Sequence, residues 1–254
     1  MKRLLLLVLN TMTFLVTVYV NYLFGSGAGG RKSVGEISNQ FDTLITPAGY
    51  AFSIWGLIYL LLFGFIAFQW VSYFKKQFDK SIDPTFLWLS LSNLLNALWI
   101  FVWTKEYLLL SVFVIFGLLG TLLKLGLNLQ IGSKQDKPSL FIGLPIGIYT
   151  GWIIAASVVN LSVWFFSKNW LQLHDVLWTN LILLIATGIY IFLIRQRDMI
   201  SPAFVGIWAL IAIAVKQWII HPVISYFSLI MVLILLISVF LFSKNKKRYS
   251  YKYN

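Results

Sequence analysis

The sequence predicts an all-α integral membrane protein of about eight transmembrane helices, on three observations. Of its 254 residues, 59% are hydrophobic and 11% charged, against about a quarter charged in an average soluble domain; its mean hydropathy is +0.84. The apolar residues come in runs of about 20, the length that crosses a bilayer core. The basic residues behind the net charge of +12 sit between those runs and at the chain ends, a membrane pattern that points away from nucleic acid.

Breaks at charges, prolines and turn residues place the spans at 4–24, 48–73, 84–104, 107–129, 139–166, 172–194, 200–219 and 223–242. The first follows Lys2-Arg3 and ends at Gly25-Ser26-Gly27-Ala28, features shared with signal peptides. Its length and the polar pair Asn10-Thr11 favour a retained helix; cleavage would leave seven. Residues 25–46 form the longest loop and open on four glycines, as expected of a flexible lid or binding loop. Pro47 stands at the entry to the second helix, where its missing N–H costs least, and Phe52, Trp55 and Tyr59 follow on one face. The third helix carries a similar stripe, Ser92, Asn96, Trp99 and Trp103. Asparagine in hydrocarbon costs free energy unless it bonds a neighbouring helix, so Asn96 is expected to point inward. Thr104-Lys105-Glu106 is a tight turn into the fourth helix.

In the fifth helix Gly143, Gly147, Gly151 and Ala155 recur every four residues. They form a smooth face for close packing, either within the chain or in a homodimer. Pro145, Tyr149, Trp152, Ala156 and Asn160 lie roughly opposite, a two-residue offset being about 200° on a helix. His221-Pro222 divides the seventh helix from the eighth.

Lysine and arginine mark the cytoplasmic side. With the N-terminus inside, fifteen of the twenty fall on inner loops or tails, so both termini are expected in the cytoplasm of a multi-pass cell-membrane protein. The basic tail 244–252 can also meet anionic lipid head groups. Lys216 reads as a snorkelling interface residue. All eight acids lie in loops: Glu36, Asp42, Asp79, Asp83, Glu106, Asp136, Asp175 and Asp198. That disfavours ion-coupled transport, which uses carboxylates at membrane depth, and removes the carboxylate pairs of acid–base catalysis. No cysteine is present and the histidines are two, His174 and His221, so disulfides, thiolate chemistry and a histidine-rich metal site are excluded. No phosphate-binding loop or hydrolase motif occurs.

Of eleven tryptophans, Trp70, Trp88, Trp103, Trp164, Trp170, Trp178 and Trp218 lie near helix ends, where indoles anchor helices at the interface. Trp55, Trp99, Trp152 and Trp208 lie deeper. The aromatic stripes of helices two, three and five read either as bundle core or as the lining of a cavity under the long loop, fit for a flat apolar ligand.

The same stripes resemble the TspO/MBR family of tryptophan-rich sensory proteins, related to the mitochondrial translocator (peripheral benzodiazepine receptor) protein. Thr46-Pro-Ala-Gly-Tyr-Ala-Phe-Ser-Ile-Trp-Gly-Leu-Ile-Tyr59 is similar to the family's second helix, and Leu95-Asn96-Ala-Leu-Trp99 to its third-helix Leu-Asn-x-x-Trp. Trp152, Ala156 and Asn160 match its fifth-helix spacing. Ala48 stands where the family has a second proline and Tyr50 where tryptophan is usual, and helix five ends without the tyrosine of the sterol-recognition motif. The resemblance covers residues 1–166, a five-helix core, and leaves 167–254 as a three-helix extension with a basic tail.

The resemblance implies a ligand pocket inside the bundle, closed by the first loop, that takes a porphyrin or related tetrapyrrole in a sensing or regulatory role without a cofactor. Trp55, Asn96, Trp99, Trp152, Ala156 and Asn160 carry over as pocket residues, beside Phe52, Tyr59 and Tyr149 from the stripes. Two alternatives stay open: transport of such ligands, and light- or oxygen-dependent porphyrin degradation, the one case in which Trp152 and Trp55 would be catalytic.

Overall fold

The computed structural model describes residues 1–41, 43–78, 81–133, 139–170 and 175–250, with 243–250 described by backbone alone. Asp42, Asp79, Lys80, Asp136, His174 and the basic side chains of the tail lie outside the described set, as does the start expected for the sixth helix. The described residues form eight long helices: α1 Lys2–Val20, α2 Ile54–Phe74, α3 Trp88–Thr104, α4 Leu108–Asn128, α5 Leu140–Ser167, α6 Asp175–Arg197, α7 Ser201–Gln217 and α8 Pro222–Ser250. Six helical stretches are long and apolar enough to cross a membrane. The other two, α3 and α7, have 17 residues each, about 25 Å of helix against a hydrocarbon core of about 30 Å.

The third helix starts later than the hydropathy implies. Residues Ile82–Thr85 form a separate turn, ended by Phe86 at φ 45°, so the apolar run that begins near Pro84 is broken before Trp88. Pro145, by contrast, sits inside α5 without ending it. At the far end of α1 the chain continues through a π-helical turn, Asn21–Gly25.

α1 packs on α3, α3 on α4, α4 on α5, α5 on α2 and α2 on α1, so the first five helices close a ring. α7 docks on the outside of that ring along α5, and α8 and α6 complete a second group around it. α5 belongs to both groups and is the most deeply buried of the candidate spans. Its glycine face explains why. A Cβ at Gly147 would meet the Ser201 side chain, and one at Gly151 would lie 2.8 Å from Pro202 Cα and 3.0 Å from Val205 Cβ. The smooth face therefore serves packing within the chain, against α7. Tyr190 of α6 locks the joint: its ring lies over Gly206 of α7, and its hydroxyl donates to the Gly151 carbonyl at 2.8 Å.

α7 also holds the entry to α2. The Ala48 N–H donates to the Ala212 carbonyl (3.1 Å), Trp208 Nε1–H to the Ala51 carbonyl (3.1 Å), and Gln217 Nε2–H to the Leu44 carbonyl (3.0 Å). A proline at position 48 could make no such bond. Alanine at this position thus keeps a contact with the C-terminal helices that a proline would lose.

Away from the loop end, polar side chains stitch α1 to its neighbours. Asn10 is fully buried; its Oδ1 accepts from Ser90 Oγ (2.6 Å) and its Nδ2 donates to Gln69 Oε1 (3.4 Å). Thr17 Oγ1 donates to the Asn93 carbonyl (2.7 Å). Such bonds hold helices together where no water competes. The Asn10-Thr11 interruption is therefore a packing device of α1, and Thr11 Oγ1 accepts from Trp70 Nε1–H (3.1 Å).

Candidate ligand cavity

The long loop contains a short helix, Val34–Gln40, with a capping box at its start. Glu36 N–H donates to Ser33 Oγ (3.2 Å), and Ser33 N–H donates back to the Glu36 carboxylate (2.7 Å). That backbone bond, then the Ser33 hydroxyl, holds the Glu36 carboxyl below its usual range. The loop helix is latched to the bundle at several points. Trp103 Nε1–H donates to the Val34 carbonyl (3.2 Å), Gln40 Nε2–H to Glu106 (3.3 Å), and Lys216 Nζ to Asn39 Oδ1 (3.1 Å). Lys216 therefore ties α7 to the loop helix.

Beneath this helix, where α3, α5, α6 and α7 meet, lies an apolar slot with about 690 Å³ of empty space, part of it open at its mouth. The volume clear of its walls is only about 50 Å³, well below the roughly 300–1,000 Å³ of sites for drug-sized ligands, so a ring-sized ligand enters only as the walls move apart. Phe52, Trp99, Trp103 and Trp152 give it aromatic walls, and Ala155, Ala156 and Asn160 supply the α5 side. α6 and α7 form the opposite wall, through Leu183, Thr187, Tyr190, Gly206 and Leu210 among others.

Of the nine residues expected at the site, Phe52, Trp99, Trp152, Ala156 and Asn160 line this slot. Trp55 stands behind them, its ring 5.9 Å from that of Trp99 and 6.3 Å from that of Trp152. Tyr59, Asn96 and Tyr149 form a further layer: Tyr59 stacks on Trp55 at 5.8 Å, donates to Asn96 Oδ1 at 3.2 Å, and Tyr149 meets Trp55 edge-on at 6.3 Å. These three support the aromatic wall and do not line the slot. Asn96 points inward as expected and is fully buried.

Asn160 spends both ends of its amide on its neighbours. Its Oδ1 accepts from Trp99 Nε1–H (2.8 Å) and its Nδ2 donates to Ser111 Oγ (2.9 Å), so it braces α3, α4 and α5 and fixes the Trp99 ring. Two other groups at the slot are unspent. Trp152 Nε1–H, on a residue 2% exposed, and Ser38 Oγ, on a residue 1% exposed, have no hydrogen-bond partner. A buried polar group without a partner costs about 1–3 kcal/mol, which a bound acceptor would recover.

Trp103 corrects the sequence reading. Proximity to a helix end marked it as an interface anchor, yet it is 2% exposed, lines the slot and holds the loop helix. Its place four residues after Trp99 was the available signal. Ser38 and the α6–α7 wall were missed altogether. α7 did carry a cue, small residues every third position at Ala203, Gly206, Ala209 and Ala212, the spacing of a helix that packs closely.

An aromatic slot between a five-helix ring and the helices docked on its outside, roofed by the loop between the first two helices, in a chain with six stretches fit to cross a membrane, defines a multi-pass membrane protein with an embedded apolar cavity. A family model for TSPO-like proteins matches residues 7–241, and the chain belongs to that family. The match runs through α6, α7 and most of α8 as well as the five-helix ring. Comparison with curated proteins and with solved structures finds no match.

Proposed function

We propose that this protein is a membrane receptor or sensor that binds a flat hydrophobic ligand of the tetrapyrrole class in the slot, with no cofactor and no turnover. One observation carries the reading: an aromatic slot in which a buried indole N–H and a buried hydroxyl lack partners. Indole faces stack on a planar macrocycle, and Trp152 Nε1–H would meet an acceptor on it. In this reading residues 1–166 supply the aromatic wall and the loop, and residues 167–254 close the side that a five-helix ring leaves to lipid. The bias of basic residues supports a cell-membrane orientation with both termini cytoplasmic.

The test is a titration of purified, detergent-solubilised protein with protoporphyrin IX, read by quenching of tryptophan fluorescence. A Trp55→Leu/Trp152→Leu variant controls for porphyrin dissolved in the micelle, and Ala156→Trp fills the slot from α5. Saturable binding weakened at least about tenfold in both still-folded variants is expected. Equal, non-saturating quenching in all three proteins would remove the tetrapyrrole from consideration.

A second reading, porphyrin degradation, has its own support in the run of indoles from Trp152 through Trp55 and Trp99 to Trp103, with ring centres 5.9–6.3 Å apart. Light-dependent porphyrin loss that continues at the wild-type rate in Trp152→Phe would dismiss a catalytic Trp152.

A further inference from the structure

Ile45 divides the slot from a second hollow of similar clear volume, about 60 Å³. It is 4% exposed and belongs to the walls of both spaces. It sits at the third position of a tight turn, Thr43 to Thr46. That turn is closed by the Thr46 N–H donating to the Thr43 carbonyl (3.0 Å) and by the two threonine hydroxyls, 2.7 Å apart. The second hollow lies between the end of α5 and the start of α6. Its character differs from that of the slot: Thr43, Ser162, Asp175 and Thr179 contribute to its lining beside Trp178 and Ile182. Asp175 makes no ion pair among the described residues. An apolar slot that ends, past one aliphatic side chain, in hydroxyls and a carboxylate is laid out for an amphiphile in one orientation.

We propose that the hollow at Asp175 is a polar-end subsite of the ligand cavity, and that it takes the hydrogen-bond-donating end, ammonium or hydroxyl, of a ligand whose ring body fills the slot. The proposal rests on the ligand-binding reading above and extends it, since it places the recognition of the ligand's polar end on α6. Ile45 then turns aside to let the ligand thread between the two spaces. The slot's narrow interior requires some such movement for a ring to enter. A rival polar hollow lies on the other side, behind Val34 and Phe52, with Ser33, Glu36 and Asn39 in its wall. There the barrier is an aromatic ring clamped between two neighbours. Phe52 meets Trp152 edge-on at 5.8 Å and packs so closely on Gly35 that a Cβ there would fall 3.2 Å from the ring. Its carboxylate, Glu36, is moreover engaged by Ser33.

The experiment uses three porphyrins with one ring and different ends: protoporphyrin IX, its dimethyl ester, and an amide derivative ending in two primary amines. Each is titrated against the full-length wild type, Asp175→Asn and Glu36→Gln in the same uncharged detergent. In the wild type the amine form is expected to bind about three- to fivefold more tightly than the ester, the scale of a partly exposed ion pair, and the dicarboxylate more weakly than either. Asp175→Asn should bring the amine-to-ester ratio close to one, with a wild-type thermal melt showing that the variant is folded. Glu36→Gln should leave the ratio as in the wild type. A ratio untouched by Asp175→Asn, or abolished by Glu36→Gln instead, overturns the subsite. Failure of all three porphyrins to bind the wild type saturably would instead defeat the ligand-binding reading on which it rests.

Discussion

Replacing Ala48 with proline tests how the C-terminal helices are joined to the rest. Ala48 has φ −57° and ψ 147°, close to the φ that proline imposes, so the local backbone accepts the change. What is lost is the N–H that donates to the Ala212 carbonyl across 3.1 Å. Proline's Cδ would take the place of that hydrogen and press on the oxygen, forcing the loop and α7 apart. The bond itself contributes about 0.5–1.5 kcal/mol, and displacing well-packed groups costs about 1–3 kcal/mol. A total near 2–3 kcal/mol, at about 2–4 °C per kcal/mol for soluble chains of this size, lowers Tm by about 4–12 °C. The assay is thermal unfolding in detergent followed by tryptophan fluorescence, with Ala48→Ser as the comparison that keeps the N–H. Because Pro47, Ala209 and Ile213 wall the slot beside this contact, porphyrin affinity should fall as well. If Ala48→Pro melts together with Ala48→Ser, the bond to Ala212 is not what joins α7 to the α2 entry.

Three further outcomes are expected. Gly151→Val drives side-chain atoms into Pro202 and Val205, an overpacking that should cost about 3 kcal/mol or more; a wild-type melting curve would mean that α5 and α7 are not packed so closely. Asn160→Leu strips Trp99 Nε1–H of its partner and removes one of the two bonds of Ser111 Oγ, which keeps that to the Leu108 carbonyl, a loss of about 1–3 kcal/mol, and should shift the tryptophan emission as the Trp99 ring is freed; unchanged emission and stability would refute the brace. The third concerns pH. The folded-state pKa of Glu36 is lowered, so its contribution is full above the ordinary carboxylate value of 4.5 and is lost as the pH falls through the lowered value. The protection factors of residues 34–40, exchange rates divided by the intrinsic rate at each pH, should fall over that acidic range in the wild type. In Glu36→Ala protection should be low throughout, and a wild-type protection factor independent of pH would count against the capping box.

Read alone, the sequence determined what depends on local spacing and on composition. Long apolar runs must become helices because a bilayer core leaves backbone groups no partner outside the segment, and the described spans fall on those runs. The stripes of α2, α3 and α5 were legible for the same reason, since helical spacing puts Phe52, Trp55 and Tyr59, or Trp152, Ala156 and Asn160, on one face. The spacing of Ser33 and Glu36 also fits a capping box, a local signal that the reading of 25–46 as a loop passed over. Which stripe faces a cavity and which supports it was not legible. Trp99 and Tyr149 are both buried inward-facing aromatics, and only the packing of neighbouring helices places one at the slot and the other behind Trp55. The glycine face of α5 suited a second copy of the chain as well as an internal helix, and tertiary structure settled it by laying Pro202 and Val205 of α7 against Gly151. Ala48 makes the point most sharply. The resemblance would put a proline there and its φ of −57° would allow one, but the partner of its N–H lies 164 residues away at Ala212, a distance in sequence that no local pattern encodes.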